Sequence, residues 1–261
     1  MLTQQVIEEH KVRPEDQMIE ECNQETHTSE AQTEEGRFVI DQFYNNLPEQ
    51  KDVAQWYAGF TPEGYNEWAR VVNFTEPQHI IDQCTKSSNE GGLQLDRSAV
   101  VMDIGSGTGI IGQALQNAGF ENLHALDVST NFLDAVRERG FYKEHHNFFL
   151  GKGTDQFPAE LKNTFDVVTA SGVWMPGHMP NQAVDDVHVA LKMGGLLVTA
   201  MRNTMWTDGV EEGYKEKFMD MINSGKFEII KTEEFWRGTE GGTGLFARQK
   251  STLLVLAKRS D

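Results

Sequence analysis

The sequence predicts an α/β fold in which helices pack on both faces of an open, mostly parallel β-sheet. Three observations predict this class. Short apolar runs alternate with amphipathic helical patterns from residue 100 onward. A glycine-rich turn joins the first apolar run to the first of these helical patterns. The last two apolar runs, Phe227–Phe235 and Ser251–Ala257, have no helical pattern between them, so we expect one strand to run antiparallel to the rest.

The composition is that of an acidic chain, long enough for one α/β domain with an N-terminal extension. It has 261 residues, a formal charge of −17 at pH 7 and a pI near 4.8. Such a surface repels phosphate backbones, so we expect no nucleic-acid partner. Cys22 and Cys84 lie far apart without a pairing pattern, which indicates a reducing compartment and no metal cluster. We find no secretory signal and no apolar run of the roughly 18 residues that a membrane span needs, so we expect a cytoplasmic protein without membrane contact.

The first 92 residues divide into two predicted regions. Residues 1–36 are rich in Glu, Gln and Thr, which predicts an acidic N-terminal arm that is mobile or loosely packed; a lid or dimer arm is the alternative. Residues 37–92 form a predicted helical cap, with helical patterns at Phe38–Tyr44 and Val71–Cys84. Residues 93–261 form the predicted core domain.

The residues Trp56–Tyr65 form a predicted aromatic loop between these two helical patterns, ahead of the first strand. Its tyrosines, Tyr57 and Tyr65, either close over a bound ligand or pack on the sheet, and the sequence leaves both interpretations open. For Trp68 and Phe74 we favour packing on the sheet.

The segment Val100–Gly109 predicts a buried strand, a tight turn and the start of a helix. The alternate glycines Gly105, Gly107 and Gly109 let the backbone turn sharply and let a ligand lie against it without a Cβ in the way. The helix that opens at Ile110 presents unpaired N–H groups at its first turn. This stretch is therefore the predicted centre of a ligand site.

Two classes of cofactor use such a turn. The string Gly107-x-Gly109-x-x-Gly112 matches the dinucleotide fingerprint, although that string alone is a weak signal. Asp103 precedes the first glycine by two positions, and a carboxylate there repels a pyrophosphate but attracts a cationic amine. The acid therefore favours a cofactor with an ammonium group.

The second predicted strand, Asn122–Asp127, ends in an acidic residue. Asp127 follows Gly105 by 22 positions, and an acid about 20 residues after the glycines accepts hydrogen bonds from a ribose diol. The alternative role, a helix N-cap, is less favoured because Ser129 already fits the N-cap of the next helix, Ser129–Arg139. The spacing therefore indicates a nucleoside cofactor without distinguishing one class from another.

The rest of the chain continues the alternation. Predicted strands three to five are Asn147–Leu150, Phe165–Ser171 and Leu196–Met201. One helix ends at Leu191, a second carries Val210 to Ile222, and a glycine-rich hairpin, Gly238–Gly244, joins the last two strands. Since the carboxyl ends of parallel strands line the ligand crevice, the loops that follow these strands are candidate binding segments.

The pattern Asp103-x-Gly105-x-Gly107-x-Gly109 is that of the class I S-adenosyl-L-methionine (SAM) methyltransferases, and the sequence resembles them from about Trp56 to the C-terminus. Further matching elements are Asp127, Phe165–Val168 and Leu191–Gly195, where Met193 stands in place of the family's proline. The resemblance implies a Rossmann-like, seven-stranded sheet and SAM as the cofactor, with S-adenosyl-L-homocysteine (SAH) as the product.

Within this class, the sequence is most similar to the Williams–Beuren-region methyltransferase-like proteins. Tyr57 and Tyr65 resemble their paired-tyrosine segment, with one extra residue between the two. Leu123–Asp127 and the region around Arg202 and Asn203 also look similar. This resemblance implies little about the substrate.

The resemblance implies a cofactor site and an acceptor site. Asp127 holds the ribose, Asp103 faces the methionyl ammonium through water or backbone, and Ser171 lies beside the sulfur. The backbone amides of Gly153 and Thr154 address the adenine edge, or belong to a plain connecting loop. The predicted cofactor-binding residues are Tyr57, Tyr65, Asp103, Gly105, Ser106, Gly107, Gly109, Asp127, Val128, Gly153, Thr154 and Ser171. The predicted acceptor-binding residues are Trp174, Met175, Arg202, Asn203 and Trp206.

Several polar residues leave room for two interpretations. His178, on the loop after strand four, is the candidate general base, or else a histidine at a helix start exposed to water. Arg202 docks a substrate carboxylate bidentately, or forms an ordinary salt bridge. We interpret His188 as structural. Asp185 and Asp186 lack the partner residues of a metal site, so we expect no metal.

These observations predict a SAM-dependent methyltransferase that transfers its methyl group to the O, N or S atom of a small-molecule acceptor, by in-line displacement and mainly through positioning. An NAD(P)-dependent oxidoreductase is one alternative, which Asp103 and the terminal antiparallel pair oppose. A non-catalytic SAM-binding or interaction protein is another. Methylation of a basic protein partner is a variant that the negative charge alone supports. The oligomeric state stays open.

Overall fold

The computed structural model describes residues 52–238 and 248–261. Within these residues seven strands are present: β1 (Val100–Ile104), β2 (Asn122–Leu126), β3 (Glu144–His146), β4 (Phe165–Ser171), β5 (Leu191–Arg202), β6 (Phe227–Arg237) and β7 (Gln249–Lys258). Seven α-helices are described: α1 (Val53–Ala58), α2 (Pro62–Val71), α3 (Glu76–Thr85), α4 (Ile110–Asn117), α5 (Thr130–Arg139), α6 (Ala183–Ala190) and α7 (Tyr214–Asn223). The predicted arm 1–36, the helical pattern Phe38–Tyr44 and most of the hairpin Gly238–Gly244 lie outside the described residues.

The strands form one sheet in the order β3-β2-β1-β4-β5-β7-β6. Strands β1 to β5 pair in parallel, and β7 lies antiparallel between β5 and β6. The predicted class, a Rossmann-like seven-stranded sheet with one antiparallel strand, is confirmed. The chain builds β2 and β3 on one side of β1 and then returns to build β4 and β5 on the other. The carboxyl ends of β1 and β4 therefore flank a crevice at the switch point.

Apolar side chains cover both faces of the sheet and hold the helices against it. Helices α6 and α7 bury Val184, Val187 and Phe218 on one face. Helices α3, α4 and α5 bury Ile80, Ile81, Ile111, Leu115, Leu133 and Val136 on the other. Complete burial of one such side chain stabilises the fold by about 1.5–3 kcal/mol, so these two layers fix the strand ends from which the site is built.

Helix α5 shows how local sequence sets the position of a site residue. Ser129 is its N-cap and accepts a hydrogen bond from the Phe132 N–H at 3.3 Å, as the sequence predicts. The helix ends at Gly140, which adopts the left-handed conformation with φ of 74°. The residue two positions before the cap, Asp127, is thereby held between the end of β2 and the start of α5.

The structure corrects the predicted position of strand three. That strand is Glu144–His146, paired in parallel with the end of β2, and not the apolar run Asn147–Leu150. Hydrogen-bonding register with β2 decides the strand, whereas the apolar residues after it turn toward the interior of the protein. Strand five also begins earlier than predicted, at Leu191 instead of Leu196, and runs to Arg202.

The predicted helix Val71–Cys84 is in fact two elements. Helix α2 ends at Val71, Asn73 adopts a positive φ of 49°, and α3 begins at Glu76 with Pro77 in its first turn. Proline fits the first turn of a helix because the N–H that it lacks has no partner there. This break sets α3 against the sheet separately from α2 and brings Glu76 to the helix start.

Helices α1, α2 and α3 lie within residues 37–92, the predicted helical cap. The predicted aromatic loop Trp56–Tyr65 is mostly helical, because α1 and α2 cover all of it except residues 59–61. Trp68, Val71 and Val72 pack with Met175, which lies on the loop after β4.

In the described part of the chain, no helix has the length and apolar character required to cross a bilayer.

Candidate active site

The glycine-rich turn lies where β1 meets α4. Gly105, Gly107 and Gly109 all adopt positive φ, at 63°, 51° and 82°. A Cβ at Gly105 would lie 2.3 Å from Val173 Cγ1, and one at Gly109 would lie 2.5 Å from the Phe141 ring. Backbone conformation and close packing therefore both require glycine, and the turn offers bare backbone to the crevice beside it.

A cleft of about 630 Å³, which includes its open mouth, lies at the carboxyl ends of β1, β2 and β4. Of the predicted site residues, Tyr57, Tyr65, Gly105, Gly107, Asp127, Val128, Ser171 and His178 line it. Phe132, Phe148, Phe149 and Leu150 form apolar walls that the sequence analysis did not assign to the site.

Asp127 is held at the edge of this cleft by two backbone hydrogen bonds. Its Oδ2 accepts from the Gly107 N–H at 2.7 Å and its Oδ1 from the Ser129 N–H at 2.8 Å. Burial raises the pKa of the carboxyl, while the hydrogen bonds from Ser129 and Gly107 act in the opposite direction. Each oxygen keeps a lone pair for a further donor, which suits a pair of hydroxyl groups.

Asp103 lies apart from the cleft, with its carboxylate bound within the protein. Its Oδ2 accepts from the Tyr142 hydroxyl at 2.6 Å, and its Oδ1 accepts from Thr169 Oγ1 at 2.7 Å. Burial raises the pKa of this carboxyl to about 6, although both hydroxyl groups lower it. Because Asp103 lies within β1, one residue before the strand ends, its side chain points to a face of the sheet. In this structure the Asp103 carboxylate is therefore not positioned to contact the ammonium group of a ligand in the cleft.

Four other predicted cofactor residues do not line the cleft. Gly153 and Thr154 line a separate depression beside Lys162 and His188, away from the main cleft. Gly109 and Ser106 belong to the turn but do not line the cleft, and Ser106 Oγ has no hydrogen-bond partner among the described residues. Ser171, in contrast, lines the cleft, and its buried Oγ also lacks a partner in the part of the chain that is described. A buried hydroxyl without a partner is a candidate for a hydrogen bond to a ligand.

Tyr57 and His178 form a hydrogen-bonded pair in the wall of the cleft, although 121 positions separate them. The Tyr57 hydroxyl lies 2.8 Å from His178 Nε2, and His178 Nδ1 lies 2.9 Å from the Pro176 carbonyl oxygen. A carbonyl can only accept, so Nδ1 carries the proton and Nε2 accepts from the tyrosine. This geometry fixes the tautomer of the imidazole.

Burial determines the charge of His178. The residue is 7% exposed, so the interpretation as a water-exposed histidine is wrong. Burial lowers the pKa of its imidazole to about 4; the Pro176 carbonyl opposes this shift and the positive charge of Arg202 adds to it. His178 is therefore neutral at pH 7, and its Nε2 is an acceptor.

A second cavity adjoins the first and shares Tyr57, Tyr65 and Gly172 with it; its empty volume of about 440 Å³ includes its open mouth. Trp174, Met175 and Arg202, which the sequence predicts for the acceptor site, line this second cavity. Trp174 is fixed there because its Nε1 donates to Thr199 Oγ1 at 2.7 Å.

Two predicted acceptor residues lie elsewhere. Asn203 donates to Glu234 and accepts from Thr252 Oγ1, at 2.6 and 2.7 Å, and Trp206 packs against Phe218. In the described residues, neither side chain lines either cavity. Asn203, which follows β5, thus binds residues of β6 and β7. Trp206 packs against the hydrophobic core beside α7. The sequence placed both near the site because they follow a strand, but their side chains turn away from it.

The second cavity also contains two charged residues that the sequence analysis missed, Glu76 and Arg237. They are 2% and 1% exposed, and charged residues are almost never so deeply buried unless they are paired or bind a ligand. No local signal could have found them, because one begins α3 and the other ends β6.

The other charged or polar candidates have structural partners. His188 Nε2 donates to the Ser260 carbonyl at 2.8 Å, which agrees with a structural role. Asp186 accepts from the Gly151 N–H at 2.6 Å, and Asp185 pairs with Lys217 at 2.7 Å.

Comparisons with known proteins find matches among methyltransferases. Residues 102–197 match the family model described as a methyltransferase domain. The chain is 27% identical over 172 residues to Methyltransferase-like protein 27 from Homo sapiens, over 66% of this chain and 65% of that protein. It is 25% identical over 130 residues to a Ribosomal protein L11 methyltransferase from Staphylococcus saprophyticus, over 50% and 38% of the two chains. The chain thus matches less than two thirds of the length of either relative.

Solved structures show the same fold. A chain from the complex of the Haloferax volcanii Trm112 methyltransferase activator with a methyltransferase superposes with a TM-score of 0.54 and 13% identity, covering 81% of this chain and 98% of that one. The MccD protein superposes with a TM-score of 0.51 and 12% identity, covering 71% and 100%.

The fold, the glycine-rich turn and the acid at the end of β2 define a nucleoside-binding α/β protein. The match of residues 102–197 to a methyltransferase domain, together with the relatives, supports a class I SAM-dependent methyltransferase. The cofactor of this class is SAM, which is converted to SAH. The family match decides against the alternative of an NAD(P)-dependent oxidoreductase.

Proposed function

We propose that this protein transfers the methyl group of SAM to an O, N or S atom of a small molecule. The observation that carries the proposal is the pair of adjoining cavities. The first is a cleft with a fixed carboxylate beside a bare-backbone turn, and the second has an aromatic lining and shares Tyr57, Tyr65 and Gly172 with the first. The first has the features of a nucleoside site and the second those of a site for a small acceptor.

The residues of the first cleft fit the cofactor. Asp127 would accept hydrogen bonds from the ribose hydroxyl groups, and the bare backbone of Gly105 and Gly107 would lie against the ligand. Ser171 Oγ, buried in the cleft wall without a partner among the described residues, would receive one of its polar groups. The apolar walls at Phe148 and Phe149 suit the flat face of an adenine ring, and for this reason we assign the adenine to them and not to Gly153 and Thr154.

The cofactor, when bound, supplies a methyl group on a positively charged sulfur. The protein then has to hold an acceptor lone pair in line with that methyl group and to exclude water. Tyr57, Tyr65, Trp68 and Trp174 enclose the space for the acceptor with aromatic surface. SAM would supply the methyl group to the acceptor atom, and the electron pair of the broken bond would stay with the SAH product.

A proton must leave if the acceptor is a hydroxyl. We assign its path to the Tyr57–His178 pair: the Tyr57 hydroxyl accepts the acceptor's proton as its own passes to His178 Nε2. A low pKa makes His178 a weak base, so its main role is to hold Tyr57 in one orientation. A neutral amine or a thiolate needs no such base.

Calorimetric binding of SAH tests the cofactor site. We expect micromolar binding by the wild-type protein and its loss in Asp127→Ala. The matched control is Asp134→Ala, which removes an exposed acid from α5 that pairs with Arg137. Absence of binding by the folded wild-type protein would overturn the proposal.

Radiolabelled SAM shows whether the acceptor is a small molecule or a macromolecule. The protein is incubated with a cell extract separated into small molecules and macromolecules. Label transferred to the small-molecule fraction supports the proposal. Label transferred to basic proteins instead would favour the second candidate, a protein methyltransferase, for which the charge of −17 is the supporting observation.

A further inference from the structure

Three charged side chains meet in the second cavity, far from any neighbour in sequence. Glu76 begins α3, Arg202 ends β5 and Arg237 ends β6. Of the described residues that line this cavity, Glu76 is the one carboxylate, and Arg202 and Arg237 are the two cations. Taking charged groups out of water costs several kcal/mol per ion unless partners compensate. The partners of the Arg237 guanidinium therefore indicate which kind of ligand the cavity can bind.

Glu76 compensates Arg237 only in part. Its Oε1 accepts from Ser251 Oγ at 2.9 Å and lies 3.3 Å from Arg237 Nε. Its Oε2 has no hydrogen-bond partner among the described residues, and the same holds for Arg237 Nε and Nη2. The ion pair is thus close enough for Coulomb attraction, but within the described residues it leaves Arg237 Nε and Nη2 without a well-directed hydrogen bond.

The two unsatisfied nitrogens of Arg237 define a ligand chemistry. Nε–H and one N–H of Nη2 point the same way along one edge of the planar guanidinium, in the arrangement that binds both oxygens of a carboxylate. Arg237 lines the cavity, so a ligand that fills the cavity lies beside its guanidinium. The positive charge of Arg202 in the same cavity adds to the attraction for an anion.

The remaining lining selects a flat, apolar body. Trp68, Phe74 and Trp174 line the cavity, and the Arg237 guanidinium carbon lies 5.6 Å from the centre of the Phe74 ring. An aromatic ring in this space would pack against aromatic surface on several sides.

We propose that the acceptor of this methyltransferase is an aromatic carboxylic acid, anchored through its carboxylate by Arg237. The inference rests on the proposed function and adds the substrate class. A carboxylate bound by a guanidinium is a poor nucleophile, so it is the anchor. The methyl-accepting atom lies at the other end of the acceptor, near Gly172 and the Tyr57–His178 pair, where the two cavities meet.

Binding of simple probes to the SAH-saturated protein tests the proposal. The probes are benzoate and phenylacetate, each compared by calorimetry with its neutral amide, benzamide or phenylacetamide. We expect each acid to bind at least tenfold more tightly than its amide. In Arg237→Gln the affinity for the acids should fall by about 10- to 100-fold, because a hydrogen-bonded charged contact is lost. Arg237→Lys keeps the charge but not the planar pair of donors, so its affinity for the acids should lie between those of the wild type and Arg237→Gln.

Two controls keep the outcomes separate. Arg259→Gln removes a surface cation that pairs with Glu228 and should leave the preference for acids unchanged. Glu76→Gln removes the carboxylate that competes with the ligand for Arg237, so it should strengthen binding of the acids. If Arg237→Gln fails to fold, this variant tests the proposed role of Arg237. Equal binding of acids and amides by wild-type protein, or failure of both to bind, would overturn the inference while SAH binding leaves the proposed function standing. Failure to bind SAH refutes the proposed function instead.

Discussion

Replacing Asp103 with asparagine should stabilise the protein at neutral pH. Asp103 is 3% exposed, and burial raises the pKa of its carboxyl from 3.8 to about 6, even though Tyr142 and Thr169 donate to it. The folded protein therefore keeps this proton in a pH range where the unfolded chain has released it. The group favours folding below about pH 3.8, and its contribution is lost as the pH rises through 6.

The size of the effect follows from the two pKa values. A difference of about two units corresponds to about 3 kcal/mol of destabilisation at pH 7.5, of which about 1 kcal/mol is relieved at about pH 5.2. Asparagine has nearly the same shape and carries no charge. We expect Asp103→Asn to raise the free energy of unfolding by about 3 kcal/mol at pH 7.5 and by about 2 kcal/mol at pH 5.2.

Urea denaturation at the two pH values measures this difference. Tyr142→Phe is the matched control, because it removes the hydroxyl that lowers the pKa of Asp103 and should make the protein less stable and more dependent on pH. An asparagine variant that is no more stable than the wild type at pH 7.5, or an advantage that does not shrink on acidification, would refute the reasoning.

Three further predictions concern the turn, the histidine and the cysteine. Gly105→Ala should lower the melting temperature and weaken SAH binding, because its Cβ would lie 2.3 Å from Val173 Cγ1 in addition to the cost of about 1–2 kcal/mol for a left-handed residue. Gly140 has a φ of 74° and open space around the position of a Cβ, so Gly140→Ala should show only the cost of the left-handed conformation. Burial lowers the pKa of His178 to about 4, so an NMR titration should find it neutral at pH 6, and a midpoint near 6.5 would contradict this. Burial raises the pKa of the Cys84 thiol to about 12, so in a variant without the other cysteine a disulfide reagent at pH 8 should react only after unfolding.

The sequence alone determined the architecture and the centre of the site. Alternating apolar runs and helical patterns are local signals, and each strand–helix unit can be assembled in few ways, so the mostly parallel sheet follows from them. The glycines of the turn and Asp127 at the end of β2 are likewise local, because their spacing fixes which strand ends they occupy. The antiparallel β7 follows from the missing helix after β6.

Tertiary structure decided which side chains meet at the site and which turn away. Tyr57 and His178 are 121 positions apart, and Glu76 and Arg237 lie on a helix and a strand that the sequence does not connect. Register placed the apolar run after β3 in the wall of the cleft and directed Asp103 into a face of the sheet. Periodicity reports the face that a residue occupies on its own element; the partner across the cavity depends on how separate elements pack, which no local pattern encodes.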